Sequence, residues 1–132
     1  VSPEETQTKR ILVCGSRDFT DEKMLWAALD KQGHNTVIIH GGARGADKIA
    51  AEWARFNSLS DVQMFRANWN LYGKRAGYVR NKQMLEEGKP TLVLAFYKDA
   101  EAPSKGTQMM VDLATKAGVK VRKYSQVPVA GW

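Results

Sequence analysis

A β-branched run that stops at two glycines and gives way to a helical pattern constrains this chain more than any other feature. Residues 38–49 read Ile38-Ile39-His40-Gly41-Gly42-Ala43-Arg44-Gly45-Ala46-Asp47-Lys48-Ile49. A strand feeding a helix through a Gly-rich turn is the repeating unit of parallel α/β sheets. Such a turn brings backbone N–H groups close to whatever lies above the sheet and aims a helix N-terminus at it, a combination that favours phosphate or another anion.

The same unit recurs along the chain. Arg10–Cys14 and Thr91–Tyr97 are apolar without alternation, as expected of central strands covered on both faces. Thr36–His40 leads into the Gly-rich turn, Val62–Arg66 reads as a short third strand, and Val119–Tyr124 as the last. Helical patterns lie between them. One is capped by Thr20 and ends at Gly33, with Leu25, Ala28 and Leu29 inward. A second repeats Ala46, Ile49, Ala50 and Trp53. A third begins near Gly73 and stops at Gly88 and Pro90, and a fourth starts at Gly106-Thr107 with Met110, Val111, Ala114 and Ala117 toward the core. This alternation predicts a single α/β domain over residues 10–124. Its sheet is five-stranded, doubly wound and mainly parallel, in the order 3-2-1-4-5, with helices on both faces. Residues 1–9 read as a flexible arm, and residues 125–132 as a tail whose Val127, Val129 and Trp132 either fold back or enter a subunit contact.

Open parallel sheets bind ligands at the carboxyl ends of their strands, and several candidate residues fall there. After the first strand, Gly15 permits close backbone approach, while Ser16 and Arg17 offer a hydroxyl and a guanidinium; the alternative is a plain turn with Arg17 paired to Asp18. In the central turn Gly41, Gly42 and Gly45 supply conformational freedom. Arg44 can pair with phosphate or carboxylate, and Asp47 can accept a ribose hydroxyl or cap the helix. Ala76, Gly77, Arg80 and Met84 share a helix face, so Arg80 is carried inward and must meet an anion, either a carboxylate of the protein or a ligand phosphate. Asn81 beside it can hydrogen-bond a base, a ribose or a loop. Gly106 and Thr107 open the last helix toward the same edge, where Thr107 either caps it or meets a phosphate. Trp69 and Tyr72 can stack on a base or simply pack. Cys14 reads as core, His40 as a hydrogen-bonding strand end, and His34 as a surface residue.

Composition narrows the classes further. At 132 residues, 43% apolar and 26% charged, the chain matches one globular domain, and no apolar run is long enough to cross a membrane. The absence of an apolar N-terminal segment predicts a protein that stays in the compartment where it is made, the cytoplasm. A lone cysteine rules out an internal disulfide and a cysteine metal cluster, and no metal or resident cofactor is expected. The net charge of +6 suits an anionic ligand. Without a long basic run or an aromatic-basic repeat, nucleic acid is the weaker alternative as partner.

Taken in order, Gly15-Ser16-Arg17, Gly41-Gly42-Ala43-Arg44-Gly45-Ala46-Asp47, Gly73 through Met84, and Gly106-Thr107 resemble the SLOG superfamily, and most closely its small YspA- and YpsA-related branch. The superfamily also holds the lonely-guy cytokinin-activating proteins and the DNA-processing protein A fold. The resemblance implies a Rossmann-like sheet binding a nucleotide or nucleotide-derived ligand above the strand ends, often in a homo-oligomer. It also marks departures from the lonely-guy phosphoribohydrolases. Asp47 stands at their motif's methionine place, and Met110 at the place of the glutamate that serves N-glycosidic cleavage. Asp112 lies roughly 200° around the helix from that place. Nucleotide binding is therefore the leading expectation. A phosphoribohydrolase-like activity using Asp47 or Asp18 comes second, and a DNA-associated module third.

Overall fold

The computed structural model describes residues 8–59 and 61–132; most of the N-terminal arm expected from the sequence lies outside them. Five strands, β1 (Lys9–Gly15), β2 (Thr36–His40), β3 (Val62–Met64), β4 (Leu92–Tyr97) and β5 (Lys120–Ser125), form one sheet. The helices are α1 (Glu22–Asp30), α2 (Ala46–Phe56), the single-turn α3 (Trp69–Tyr72), α4 (Ala76–Gly88) and α5 (Lys105–Lys116), with a 3₁₀ turn at Gly73–Arg75 between α3 and α4. The strand order is β3-β2-β1-β4-β5 and every neighbouring pair is parallel. This is the doubly wound Rossmann-like architecture that the alternation of strands and helices predicted.

The central strands lack polar alternation because both their faces are covered. In β1, Ile11 and Val13 point into one core with Phe19, Leu25, Leu29 and Trp53, under α1 and α2. Leu12 and Cys14 point into the other with Met84, Met110 and Val111, under α4 and α5. Leu12 is held in register between Ile39 of β2 and Val93 of β4. Burying about ten such side chains per face, at roughly 1.5–3 kcal/mol each, is the main driving force for the layers. β5 is exposed at Lys120, Arg122 and Lys123 because it forms one edge of the sheet.

Local details differ from the sequence expectation at several ends. α1 is capped by Asp21, whose carboxylate accepts the Met24 N–H at 3.1 Å, and not by Thr20. Thr20 instead exchanges two hydrogen bonds with the Gln126 side chain. α5 starts one residue before Gly106 and is capped by Ser104, so Thr107 is not its cap; Ala117 follows the last helical residue and is exposed. β1 takes in Lys9, one residue of the expected arm. The tail folds back, with the Gln126 and Val127 N–H groups donating to the carbonyls of Tyr97 and Lys98 and Trp132 edge-on to the Tyr97 ring.

Two glycines set how closely the loops above the sheet approach one another. A side chain on Gly15 would collide with the Phe96 carbonyl oxygen and Ala46 Cβ. Gly45, at φ +74°, lies against the Ser16 and Arg17 carbonyls. Gly45→Ala combines an unfavourable backbone conformation with a backbone collision. It should lower unfolding free energy by roughly 2–5 kcal/mol, read as a shifted denaturation midpoint in urea at unchanged slope.

Candidate functional site

The strand order reverses between the parallel strands β1 and β4, and the loops after these strands part there. A cavity of about 550 Å³ opens at that point on the carboxyl edge, a size and position suited to a small ligand. Of the residues expected from sequence, Gly15, Arg17, Asp18, Arg44, Asp47, Arg80, Asn81, Gly106 and Thr107 all line it. Four elements supply them: the loop after β1, the β2–α2 turn, α4, and the start of α5.

Ser16, Gly41, Gly42 and Gly45 do not line the cavity, and the reason is visible in their hydrogen bonds. The Ser16 hydroxyl accepts the Lys98 N–H at 3.2 Å, fastening the loop after β1 to the end of β4. The Gly41 and Ala43 N–H groups both donate to Asp47 Oδ2, at 3.0 and 3.2 Å. The Gly42 N–H donates to His40 Nδ1 at 3.0 Å. The central turn is thus a nest of N–H groups around an anion, but the anion is the protein's own carboxylate. That corrects the expectation of a turn whose backbone cradles phosphate directly. It also explains His40: burial first, then the nearby Arg66 charge, lowers its pKa, which keeps the imidazole neutral and able to accept.

Arg80 finds its partners in the same turn. Its guanidinium NH1 donates to the Gly41 carbonyl at 2.9 Å and its Nε to Asn81 Oδ1, also at 2.9 Å. Asn81 in turn donates through Nδ2 to the Gly106 carbonyl at 3.3 Å, linking α4 to the first turn of α5. Arg80 is therefore oriented by a hydrogen-bonded chain running from the β2–α2 turn to α5. Its pKa is lowered by burial and partly restored by the Asp47 charge. At the start of α5, Ser104 Oγ donates to Thr107 Oγ1 at 2.7 Å, which fixes the Thr107 hydroxyl. The N–H groups of Lys105 and Gly106, in the first turn of that helix, have no acceptor within the helix. Arg17 and Arg44 are exposed at the rim, and among the described residues the ion pair within 4 Å is Lys82–Glu86, so neither arginine is held in a close ion pair.

Sequence reading missed the apolar part of the lining: Val13, Cys14, Met84 and Met110. These looked like core and are core; the cavity floor is the upper surface of the core under α4 and α5. Cys14 is 8% exposed and burial drives its thiol pKa far up, which leaves it neutral and unreactive. Trp69 and Tyr72 border neither core, being 55% and 45% exposed.

A cavity at the switch point of a doubly wound parallel sheet, floored by apolar side chains and rimmed by arginines, defines a Rossmann-like domain with an open site of small-molecule size. Comparison with known proteins places it more narrowly. Residues 9–72 match the model of the YspA, cpYpsA-related SLOG family. The Gene 61 protein of Mycobacterium phage D29 is 37% identical over 130 positions, covering 91% of this chain and 99% of the phage protein. The chain belongs to this SLOG family, whose members suggest a nucleotide-related ligand. Among the described residues no helix is long and apolar enough to span a membrane.

Asp47 carries a measurable signature. Burial raises its pKa from 3.8 to about 6, against the opposing effect of the Ala43 and Gly41 N–H groups and the Arg80 and Arg17 charges. Between about pH 4 and about pH 6 the native protein therefore holds a proton that the unfolded chain has released. Stability should fall as pH rises through this window, by about 2–3 kcal/mol at 1.36 kcal/mol per pKa unit. Asp47→Asn, which keeps an acceptor for the turn, should flatten that part of the profile, as read from denaturation midpoints across the window.

Proposed function

We propose that this protein binds a nucleotide or phosphorylated nucleoside-derived small molecule in the cavity between β1 and β4. The observation that carries this reading is the convergence of three arginines, Arg17, Arg44 and Arg80, with the open first turn of α5 around one cavity at the carboxyl edge. A helix N-terminus and guanidinium groups outside any close ion pair are what a phosphate needs, and each charge-assisted hydrogen bond contributes about 1.5–3 kcal/mol. Gly15, Gly106 and Thr107 border the phosphate end in this reading. Asp18, Asp47 and Asn81 offer polar partners for a ribose or base, and Val13, Met84 and Met110 offer apolar surface for the ring. Gly41, Gly42 and Gly45 contribute by shaping the turn that positions Asp47 and Arg44.

One observation favours a second reading, a hydrolase acting on an N-glycosidic bond. Asp47 lines the cavity with its pKa raised to about 6, so its carboxyl can gain and lose a proton near neutrality, as a general acid or base requires. Against this, Met110 stands where the phosphoribohydrolases carry a glutamate, and Oδ2 of Asp47 is committed to the turn.

The test is incubation of the protein with nucleoside mono- and diphosphates of all four bases, reading retained ligand and free base by native mass spectrometry in the same samples. Retention without base release is the expected outcome. Base release abolished by Asp47→Asn would establish the hydrolase instead, and retention of none of the nucleotides would sink both. For a retained ligand, Arg17→Ala should weaken binding by about 1–3 kcal/mol in calorimetry, with an unchanged thermal transition because Arg17 is exposed and unpaired.

A further inference from the structure

Four of the eight large apolar side chains exposed among the described residues fall within nine positions: Met64 (47%), Trp69 (55%), Leu71 (67%) and Tyr72 (45%). Exposed apolar surface this concentrated marks an interaction site. Neighbouring contacts join these residues into one face. Met64 and Arg66 both lie against Gly42, and the edge of the Trp69 ring lies beside Gly77 at the start of α4. Arg66, Leu71 and Tyr72 line a recess of about 260 Å³ together with Asn68, Arg80 and Gln83. We propose that this face, centred on α3, docks an acidic segment of a partner protein. A carboxylate of that segment enters the recess lined by Arg66 and Arg80, and an apolar side chain beside it packs on Trp69, Leu71 and Tyr72. The inference is independent of what the cavity between β1 and β4 holds.

Charge selects the occupant. Residues 66–85 carry five Lys and Arg side chains and no Asp or Glu, so this stretch supplies +5 of the chain's net charge of +6. Among the described residues, Arg66, Lys74 and Arg75 stand in no ion pair within 4 Å. The recess repeats the pattern on a smaller scale: two guanidinium groups and the amides of Asn68 and Gln83 offer N–H donors to an anionic side chain, and no carboxylate lines it. A second copy of this chain is a poor occupant, because an isologous contact would set two such cationic stretches against each other. Nucleic acid matches the charge but not the rest of the face. Met64 and Leu71 have no flat surface on which a base can stack. Tryptophan, tyrosine, methionine and arginine, with Asp and Glu absent, are instead the composition of the core of a protein–protein interface.

The experiment is peptide phage display on the immobilised protein, with a parallel selection on Leu71→Asp, which places a carboxylate on the face. Peptides enriched on the parent protein and not on the variant should combine Asp or Glu with a large apolar residue. The most enriched sequence, made as a labelled peptide, should bind in fluorescence anisotropy, and Arg66→Ala and Tyr72→Ala should each weaken it by about tenfold or more. Replacing the peptide's Asp and Glu by Asn and Gln should weaken binding to the parent by a similar factor. Against that amide peptide Arg66→Ala should have little further effect, the non-additivity of a direct pair. Arg66, Leu71 and Tyr72 are exposed, and the thermal transition of each variant is measured alongside to show that it folds. Absence of any sequence enriched on the parent over Leu71→Asp would overturn the inference, as would enriched sequences without carboxylates. Binding of labelled oligothymidylate or of anionic phospholipid vesicles that is lost in Arg66→Ala and Tyr72→Ala would overturn it too, by assigning the face to nucleic acid or to a membrane surface.

Discussion

Asp47 accepts hydrogen bonds from two backbone N–H groups of the Gly-rich turn, and the rest of the site follows from that contact. Gly41 and Ala43 converge on Oδ2. This sets the Gly41 carbonyl where Arg80 can donate to it, and Arg80 in turn braces Asn81, which reaches Gly106 on α5. The three elements after β2, β3 and β4 are thereby tied above the sheet by a single polar chain that begins at one carboxylate. Taking that carboxylate out of water is costly, as its raised pKa records, and the two N–H groups and the neighbouring Arg80 offset much of that cost.

An internal anion in a Gly-rich turn changes what the turn can do. In a phosphate-binding loop the N–H groups are left for the ligand. Here they are taken by Asp47, so the donors left open toward the cavity are the arginine side chains and the start of α5. Arginines suit that division. Their guanidinium groups stay charged when partly desolvated and present paired donors to oxygens.

The fold could be read from the sequence because its signals are long and mutually consistent. Ile11 to Val13 and Leu92 to Tyr97 lack alternation since both faces are covered, and their place in the chain order dictates a parallel sheet with β1 at its centre. Most of the cavity lining was legible too, because strand ends and helix starts gather on one edge in this topology. What escaped was decided by atoms, not by residue types. Whether the Gly41 N–H meets a ligand or Asp47 depends on a side-chain rotamer. Whether Thr20 or Asp21 caps α1 depends on where residue 126, over a hundred positions away, returns to take the hydroxyl. Met84 and Met110 carry the same apolar signature whether they fill a core or floor a cavity, so their double role had no sequence signal.

The hydrogen bonds joining Thr20 to Gln126, and Tyr97 and Lys98 to residues 126 and 127, have a consequence for how the protein is made. Within this domain the loop after β1 is synthesised well before β4 and the tail, yet it hydrogen-bonds to Phe96, Lys98 and Gln126. Contacts of such long sequence separation form slowly and late. A nascent chain that has reached β2 and α2 carries the Gly-rich turn but no opposite wall for a ligand to meet. The cavity is therefore closed last, so that its complete lining exists only once the whole domain has folded.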